Sequence, residues 1–330
     1  MQNAAKNTVD EVLKIFNNGW NKQVILYGPP GTSKTYSATE IAAKFLAEHE
    51  EENRKPKLET HAECEAYLEK KDGQYKVIQF HPSYSYEDFV RGIVVKTKDK
   101  DNNPLNIPTY EVERKIIEKF GEGAKKDNPR VLVIDEINRA PLGSVLGELI
   151  YGLEYRGKAV STPYTYERKE EDSEEVKEIP LKISEHLYII GTMNTADRSI
   201  GTMDYAVRRR FAFLPVLPCP EVIEGTWNDS NIGKKAKELF NALMDEKEGI
   251  FKKDLLADTE SDINDIKIGH TYFLGRKGIE KEDGLEYLQY RIDYQIKPVY
   301  QEYIKDGLIN KEGLAEFERI VENVMGTANI

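Results

Sequence analysis

Short apolar runs alternate with amphipathic segments along the first two thirds of the chain. Continuous apolar runs at 24–27, 131–134 and 187–190 are typical of strands that are buried on both faces. Helical periodicity is clearest at 8–16, where apolar residues recur every three or four positions, and a second helix is predicted at 35–47. This alternation predicts an α/β fold with a mostly parallel sheet flanked by helices.

The same patterns continue through the rest of the chain. Two more strands are predicted, at 77–80 and 211–217. Turn-forming and charged residues predict exposed hairpins at 93–104 and 166–178. Further helices are predicted at 62–70, 110–120, 142–155, 203–209, 233–245, 284–303 and 311–324. Because the pattern after Pro218 is mainly helical, we expect an α/β domain at 1–217 and a small helical lid domain at 218–330.

Composition narrows the class of protein. The chain has 330 residues, of which 39% are hydrophobic and 32% charged, as in an ordinary globular protein. Its net charge of -11 opposes a general electrostatic grip on DNA or an anionic membrane. Cys64 and Cys219 are too few for a disulfide framework, so we expect a reducing compartment, the cytoplasm. No segment resembles a membrane span or a signal peptide.

A glycine-rich loop joins the first strand to the next helix. In this position, backbone N–H groups bind phosphate oxygens, and a lysine reaches the β- and γ-phosphates. We therefore expect Lys34 to bind phosphates and Thr35 to bind Mg²⁺. Ser33 stands where the consensus has glycine, so nucleotide binding should survive, while the hydrolysis rate is less easily foreseen. The candidate nucleotide-binding residues are Gly28, Pro29, Pro30, Gly31, Thr32, Ser33, Lys34, Thr35 and Tyr36.

Acidic and amide side chains follow the later buried strands. Asp135 and Glu136 end one strand, so one carboxylate can face Mg²⁺ while Glu136 polarises the attacking water. Asn194 follows the next strand and can place an amide beside the same water. Taken alone, Asp135 and Glu136 would read as helix-capping acids, and Asn194 with Asp197 as a capped turn. The phosphate loop favours the catalytic interpretation.

Three arginines, Arg208, Arg209 and Arg210, end a predicted helix. Cations at a helix C-terminus are favourable in themselves, because they oppose the helix dipole. The alternative is an arginine finger that stabilises the phosphoryl group bound to a neighbouring subunit. That function requires an oligomer.

These segments resemble the McrB-like family of AAA+ GTPases, the motor subunits of modification-dependent restriction systems. The resemblance covers most of the chain between residues 24 and 273. It rests on GPPGTSKT from Gly28, FHPSYSYEDF from Phe80, VLVIDEINRA from Val131, MNTADRS from Met193, DYAVRRRFAF from Asp204 and IGHTYF from Ile268.

The resemblance implies properties that composition and spacing do not. It implies GTP rather than ATP, a homo-oligomeric ring that is usually hexameric, and stimulation by a McrC-like endonuclease subunit. It also places Asn194 and Asp197 in the hydrolytic site, Arg209 or Arg210 as the finger, and Arg139 near the subunit junction. His270 of IGHTYF either lies near the nucleotide or is a packed core histidine.

Related full-length proteins carry an amino-terminal domain that recognises modified DNA. Here the phosphate loop begins at Gly28, so we expect DNA to be contacted mainly through another domain or chain. An alternative function is an AAA+ ATPase that remodels proteins, of the MoxR or dynein-related type. A third is a nucleotide-dependent assembly switch with negligible turnover, which Ser33 suggests.

Overall fold

Five parallel strands form the central sheet of the computed structural model, which describes residues 4–51, 55–98, 102–169, 176–196, 203–257 and 263–326. In chain order the strands are β1 (Gln23–Gly28), β2 (Tyr75–Gln79), β3 (Arg91–Lys98), β4 (Pro104–Arg114), β5 (Arg130–Asp135), β6 (Tyr166–Lys169), β7 (Val176–Ile179), β8 (Leu187–Asn194) and β9 (Ala212–Pro215). The sheet has the order β2-β5-β8-β1-β9, and each neighbouring pair is parallel. The α/β fold predicted from the sequence is confirmed.

Helices cover both faces of the sheet and form the C-terminal part of the chain. In chain order they are α1 (Ala4–Asn17), α2 (Lys34–Glu48), α3 (His61–Leu68), α4 (Tyr86–Phe89), α5 (Ile116–Glu122), α6 (Leu142–Leu146), α7 (Leu149–Glu154), α8 (Tyr205–Arg208), α9 (Glu221–Glu224), α10 (Ser230–Met244), α11 (Ile263–Ile266), α12 (Gly284–Arg291), α13 (Lys297–Lys305) and α14 (Glu312–Met325). A π-helical turn, Ile292–Ile296, joins α12 to α13.

Successive side chains of the central strands enter two different apolar clusters. In β5, Val131 and Val133 pack with α1 and α2, whereas Leu132 and Ile134 pack on the opposite face. Alternation of this kind follows from the two-residue period of a strand. A third cluster lies within the C-terminal helices, between Ile223 and Ile320. This separate core supports the predicted boundary between residues 217 and 218, which stays a prediction.

The helix predicted at 110–120 is wrong in its first half. β4 continues to Arg114, and α5 begins only at Ile116. β4 pairs with β3 in antiparallel register, with Ile93 opposite Val112. Cross-strand pairing therefore overrides the helical spacing that the apolar residues of this segment suggest.

Two hairpins project from the α/β part and are joined at their bases. The guanidinium of Arg91, which is 1% exposed, makes two 2.7 Å hydrogen bonds to the Glu118 carboxylate on α5. It also donates to the carbonyls of Tyr164 and Ile179, which flank the β6–β7 hairpin. Arg91 thus links the β3–β4 hairpin to the β6–β7 hairpin, and each nitrogen of its buried guanidinium donates a hydrogen bond.

Candidate functional site

The carboxyl ends of three neighbouring strands meet at one edge of the sheet. Gly28, the last residue of β1, is in register with Asn194, the last residue of β8. Asp135 ends β5, which lies on the other side of β8. The sequence had placed Asn194 beyond its strand, but β8 extends to include it. In open parallel sheets, ligands bind at this edge.

The phosphate loop between β1 and α2 follows a tight path. Gly31 has φ 77°, and a side chain there would overlap the ring of Tyr272. Ser33 also lies in the left-handed region, with φ 68° and ψ 30°. For a residue with a side chain, the left-handed region costs about 1–2 kcal/mol relative to the right-handed region. Glycine has no such cost. Ser33 thus keeps the backbone conformation that the consensus glycine serves.

The Lys34 side chain lies buried along the loop. Its ammonium donates to the carbonyls of Gly28 at 3.0 Å and Pro29 at 2.7 Å, and contacts the Thr32 hydroxyl at 3.4 Å. Burial lowers the pKa of Lys34 to about 8, an effect that the nearby Glu136 and Asp135 carboxylates oppose. A bound anion would favour the charged form of this amine.

Three oxygens cluster around the end of β5. The Thr35 hydroxyl donates to Asp135 Oδ1 at 2.8 Å, and the Thr192 hydroxyl donates to the same oxygen at 2.5 Å. Thr192 also accepts a 3.2 Å hydrogen bond from the backbone N–H of Glu136. Sequence reasoning missed Thr192. It lies two residues before Asn194 on β8, so both side chains project from the same face of the strand.

Glu136 and Asn194 contact one another directly. Asn194 Nδ2 donates to Glu136 Oε1 at 2.5 Å. Glu136, directly after the end of β5, has a left-handed backbone, with φ 52° and ψ 46°. Strained conformations of this type concentrate at functional sites. Arg139 Nε lies 3.5 Å from Glu136 Oε2, so a partly exposed cation borders the same carboxylate.

Residues 268–273, which we call the strap, lie across the phosphate loop. The Gly269 N–H donates to the Pro30 carbonyl at 2.7 Å, and the Thr271 N–H donates to the Gly31 carbonyl at 3.0 Å. A Cβ at Gly269 would lie 1.8 Å from the Gly31 oxygen, so only glycine permits this approach. The strap, which lies between α11 and α12, thereby contacts the phosphate loop directly.

His270 of the strap is 3% exposed and bonded through both ring nitrogens. Its Nδ1 accepts a 3.1 Å hydrogen bond from the Cys219 N–H, and its Nε2 lies 3.1 Å from the Ser33 hydroxyl. Burial lowers the pKa of His270 to about 4, which Glu221 opposes in part. The ring is therefore neutral near pH 7. Of the two interpretations that the sequence leaves open, the structure supports a packed histidine, which also contacts the phosphate loop; a position near the nucleotide stays a prediction.

The three arginines at the end of α8 have different surroundings. Arg210 is 8% exposed and forms an ion pair with Glu154 of its own chain. Arg209 is 68% exposed and lies 4.0 Å from the same carboxylate, and Arg208 lies over the Phe213 ring at 5.2 Å. An arginine that reaches another subunit needs a free path, so Arg209 has the better placement.

Three other candidate residues of the site are Tyr36, Thr32 and Asp197. The Tyr36 ring stacks on His61 with 3.6 Å between ring centroids, and burial raises the pKa of Tyr36 to about 12. The Thr32 hydroxyl, fully buried, donates to the Pro29 carbonyl at 3.0 Å. Asp197 lies outside the described residues.

The arrangement has the parts that bind a nucleoside triphosphate. N–H groups at the start of α2 lack acceptors within the helix and point toward the loop, as in anion sites at helix N-termini. Thr35 and Asp135 offer a hydroxyl and a carboxylate oxygen, a donor set that suits Mg²⁺ when phosphates and waters complete its shell. In the described part of the chain, no group of three or more His, Cys, Asp or Glu side chains is placed to hold a metal ion.

Comparison with known proteins identifies the class. Residues 23–211 match the AAA domain (dynein-related subfamily), and the chain belongs to this family of nucleoside triphosphatases, which bind nucleotide and Mg²⁺. The chain is similar to the type IV methyl-directed restriction enzyme EcoKMcrB subunit of Escherichia coli strain K12, with 29% identity over 308 residues. That match covers 91% of this chain and 57% of the relative's length.

Two solved structures are also similar over nearly the whole chain. A putative ATPase from Cytophaga hutchinsonii ATCC 33406 is 15% identical with a TM-score of 0.36, over 99% of this chain and 90% of that one. NtrX from Brucella abortus is 12% identical with a TM-score of 0.38, over 98% and 68%. Among the residues described for this chain, no helix is both long enough and apolar enough to cross a membrane.

Proposed function

We propose that this protein hydrolyses GTP as the oligomeric motor subunit of a modification-dependent DNA restriction complex. The observation that carries the hydrolytic part is the 2.5 Å hydrogen bond between Asn194 and Glu136, at the edge of the sheet where the phosphate loop begins. The similarity to the Escherichia coli restriction subunit supports the finer function.

The proposed chemistry assigns a separate task to each group. The loop N–H groups and Lys34 bind the phosphates, and Glu136 polarises a water for attack on the γ-phosphoryl group. Asn194 orients the Glu136 carboxylate and offers its amide to the same water. Mg²⁺, held by Thr35 and Asp135, would neutralise charge on the β- and γ-phosphates. By resemblance, Asp197 also belongs to this site.

The position of Arg209 supports action between subunits. The adjacent Arg210 carbonyl accepts a 2.7 Å hydrogen bond from Gln23, the first residue of β1, whereas the phosphate loop follows the last residue of β1. Six strand residues span roughly 17 Å at 3.3 Å per residue. An arginine side chain is shorter than that distance, so Arg209 would serve the nucleotide of a neighbouring copy in a ring, which we propose is hexameric.

GTP preference and the partner follow from the resemblance rather than from particular contacts. We propose a McrC-like endonuclease subunit as the partner, with DNA contacted mainly through another domain or chain. The net charge of -11 agrees with a motor that does not itself grip phosphates over a wide surface. Cys64 and Cys219 are both buried thiols rather than disulfide partners, which supports a reducing, cytoplasmic location.

A second candidate is an ATPase that remodels protein partners. It is favoured by the match of residues 23–211 to the dynein-related subfamily. Both functions use the same hydrolytic site, so the site residues alone do not discriminate between them. They differ in the preferred base and in the response to a nuclease subunit.

The discriminating experiment measures phosphate release from GTP and from ATP at equal concentration with Mg²⁺, with and without a McrC-like subunit. The restriction-motor function predicts preference for GTP and faster release when the nuclease subunit is added. Preference for ATP without stimulation would replace it with the remodelling function.

A further inference from the structure

The phosphate loop of this protein has a side chain where its consensus has none. Ser33 has a left-handed backbone, which glycine adopts freely and serine does not. The N–H groups that bind phosphates lie on both sides of this residue. A shift of Ser33 toward the right-handed region would therefore misalign them, so something must hold the residue in place.

The hydrogen bonds around His270 show which of its ring nitrogens can hold Ser33 in place. The Cys219 N–H donates to Nδ1, so this nitrogen carries the lone pair of the neutral ring. The hydrogen is then on Nε2, which lies 3.1 Å from the Ser33 oxygen and donates to it. One imidazole thus connects the segment after β9 to the phosphate loop.

The strap that carries His270 is itself anchored to the C-terminal helices. Arg291, at the end of α12, donates to the Tyr272 carbonyl at 2.9 Å and also to the Thr271 carbonyl. On its other side, the strap bonds to the carbonyls of Pro30 and Gly31. A continuous path of hydrogen bonds therefore runs from α12 through the strap to the phosphate loop.

We infer that His270 is a positioning residue for nucleotide binding: its Nε2–H holds Ser33, and thereby the phosphate loop, in the left-handed conformation that aligns the phosphate-binding N–H groups. The consensus glycine adopts this conformation without a partner, whereas here Ser33 adopts it together with His270. The inference rests on the nucleotide site but not on the preferred base, the nuclease partner or the ring. It also makes the placement of the C-terminal helices a determinant of nucleotide affinity.

The test is a double-mutant cycle in the full chain, with the affinity for one fluorescent GTP analogue as the readout. His270→Ala should weaken affinity by about fivefold to tenfold, as expected for loss of one buried hydrogen bond. With Ser33→Gly, the same histidine substitution should cost less than about twofold, because glycine needs no partner to stay left-handed. His270→Gln, which offers an amide N–H near the Nε2 position, should recover part of the loss.

Ser33→Ala provides a second route that leaves the histidine packing intact. It removes only the hydroxyl, so it should weaken affinity as His270→Ala does, and the two losses should not add. In steady-state hydrolysis, KM should rise by the same factor while kcat changes by less than about twofold. His49→Ala, at the far end of α2, is the matched histidine control and should leave the affinity unchanged.

Equal losses from His270→Ala in the serine and glycine backgrounds would overturn the inference, since the histidine would then act only through packing. Full affinity in Ser33→Ala would overturn it as well. Failure of GTP preference or of partner stimulation would leave these ratios unchanged, so it counts against the proposed function alone.

Discussion

Replacing Thr192 with valine tests how the carboxylates of Asp135 and Glu136 are held in place. The Thr192 side chain is 2% exposed, donates to Asp135 Oδ1 and accepts from the Glu136 N–H. Valine has nearly the same shape but has no hydroxyl. The substitution therefore removes two hydrogen bonds at once without opening a large cavity.

The size of the effect follows from these contacts. A hydrogen bond to a charged acceptor contributes about 1.5–3 kcal/mol, and an orphaned buried N–H costs about 1–3 kcal/mol. We expect Thr192→Val to lower the free energy of unfolding by about 3 kcal/mol. We expect kcat to fall by roughly tenfold to a hundredfold, because Asp135 and the left-handed Glu136 both lose an anchor.

The assay combines urea unfolding with steady-state phosphate release. Thr226→Val is the matched control, because Thr226 also donates one hydrogen bond, to Ile223, and accepts one, from the Gly275 N–H. That variant should lose stability but keep kcat. If Thr192→Val kept full kcat, or if both variants lost kcat equally, the reasoning that Thr192 positions the carboxylates would be refuted.

Three further predictions concern other parts of the site. Lys34→Ala should weaken nucleotide binding by at least about tenfold in equilibrium titration, since it removes a charged phosphate ligand; unchanged affinity would contradict its assignment. Arg209→Ala should bind nucleotide but turn over slowly, and mixing it with Glu136→Gln chains should restore part of the activity; no rescue would argue against a shared site. Because the pKa of His270 is lowered to about 4 in the fold, stability should fall by up to about 3 kcal/mol between pH 6.5 and pH 4, and His270→Gln should flatten that profile in urea melts.

Local pattern was sufficient for most of the α/β framework. Runs of apolar residues such as Val131–Ile134 identified strands buried on both faces, because each run is of strand length, too short for a typical helix, and is rich in β-branched residues. The pattern was insufficient at β4. There the competition between helix and strand is decided by the pairing partner, β3, which the segment's own sequence does not reveal.

The site shows a similar division between local and long-range information. Lys34, Asp135 and Asn194 are marked by their places at or beyond the ends of apolar runs, and the parallel topology brings the corresponding strand ends together. The contact between Ser33 and His270 joins residues 237 positions apart. No local pattern encodes such a contact, although the serine in a glycine position was a signal that something must compensate.

The two short helices after β5 give a further example. A single helix was predicted at 142–155, but Gly147, with φ 48°, divides it into α6 and α7. A side chain at Gly147 would overlap the ring of Tyr86, which belongs to α4. The helix break thus makes room for a neighbouring element, and only the tertiary structure supplies that reason.

The most direct test of the central claim is to compare Glu136→Gln with the unaltered protein in nucleotide binding and in phosphate release. Glutamine keeps the shape of the side chain and can still bond to Asn194, but it cannot polarise water as a carboxylate does. The role of Glu136 as the water-activating base predicts near-normal affinity and phosphate release that falls by at least about a hundredfold. Full phosphate release by Glu136→Gln would contradict it, because another group would then have to activate the water.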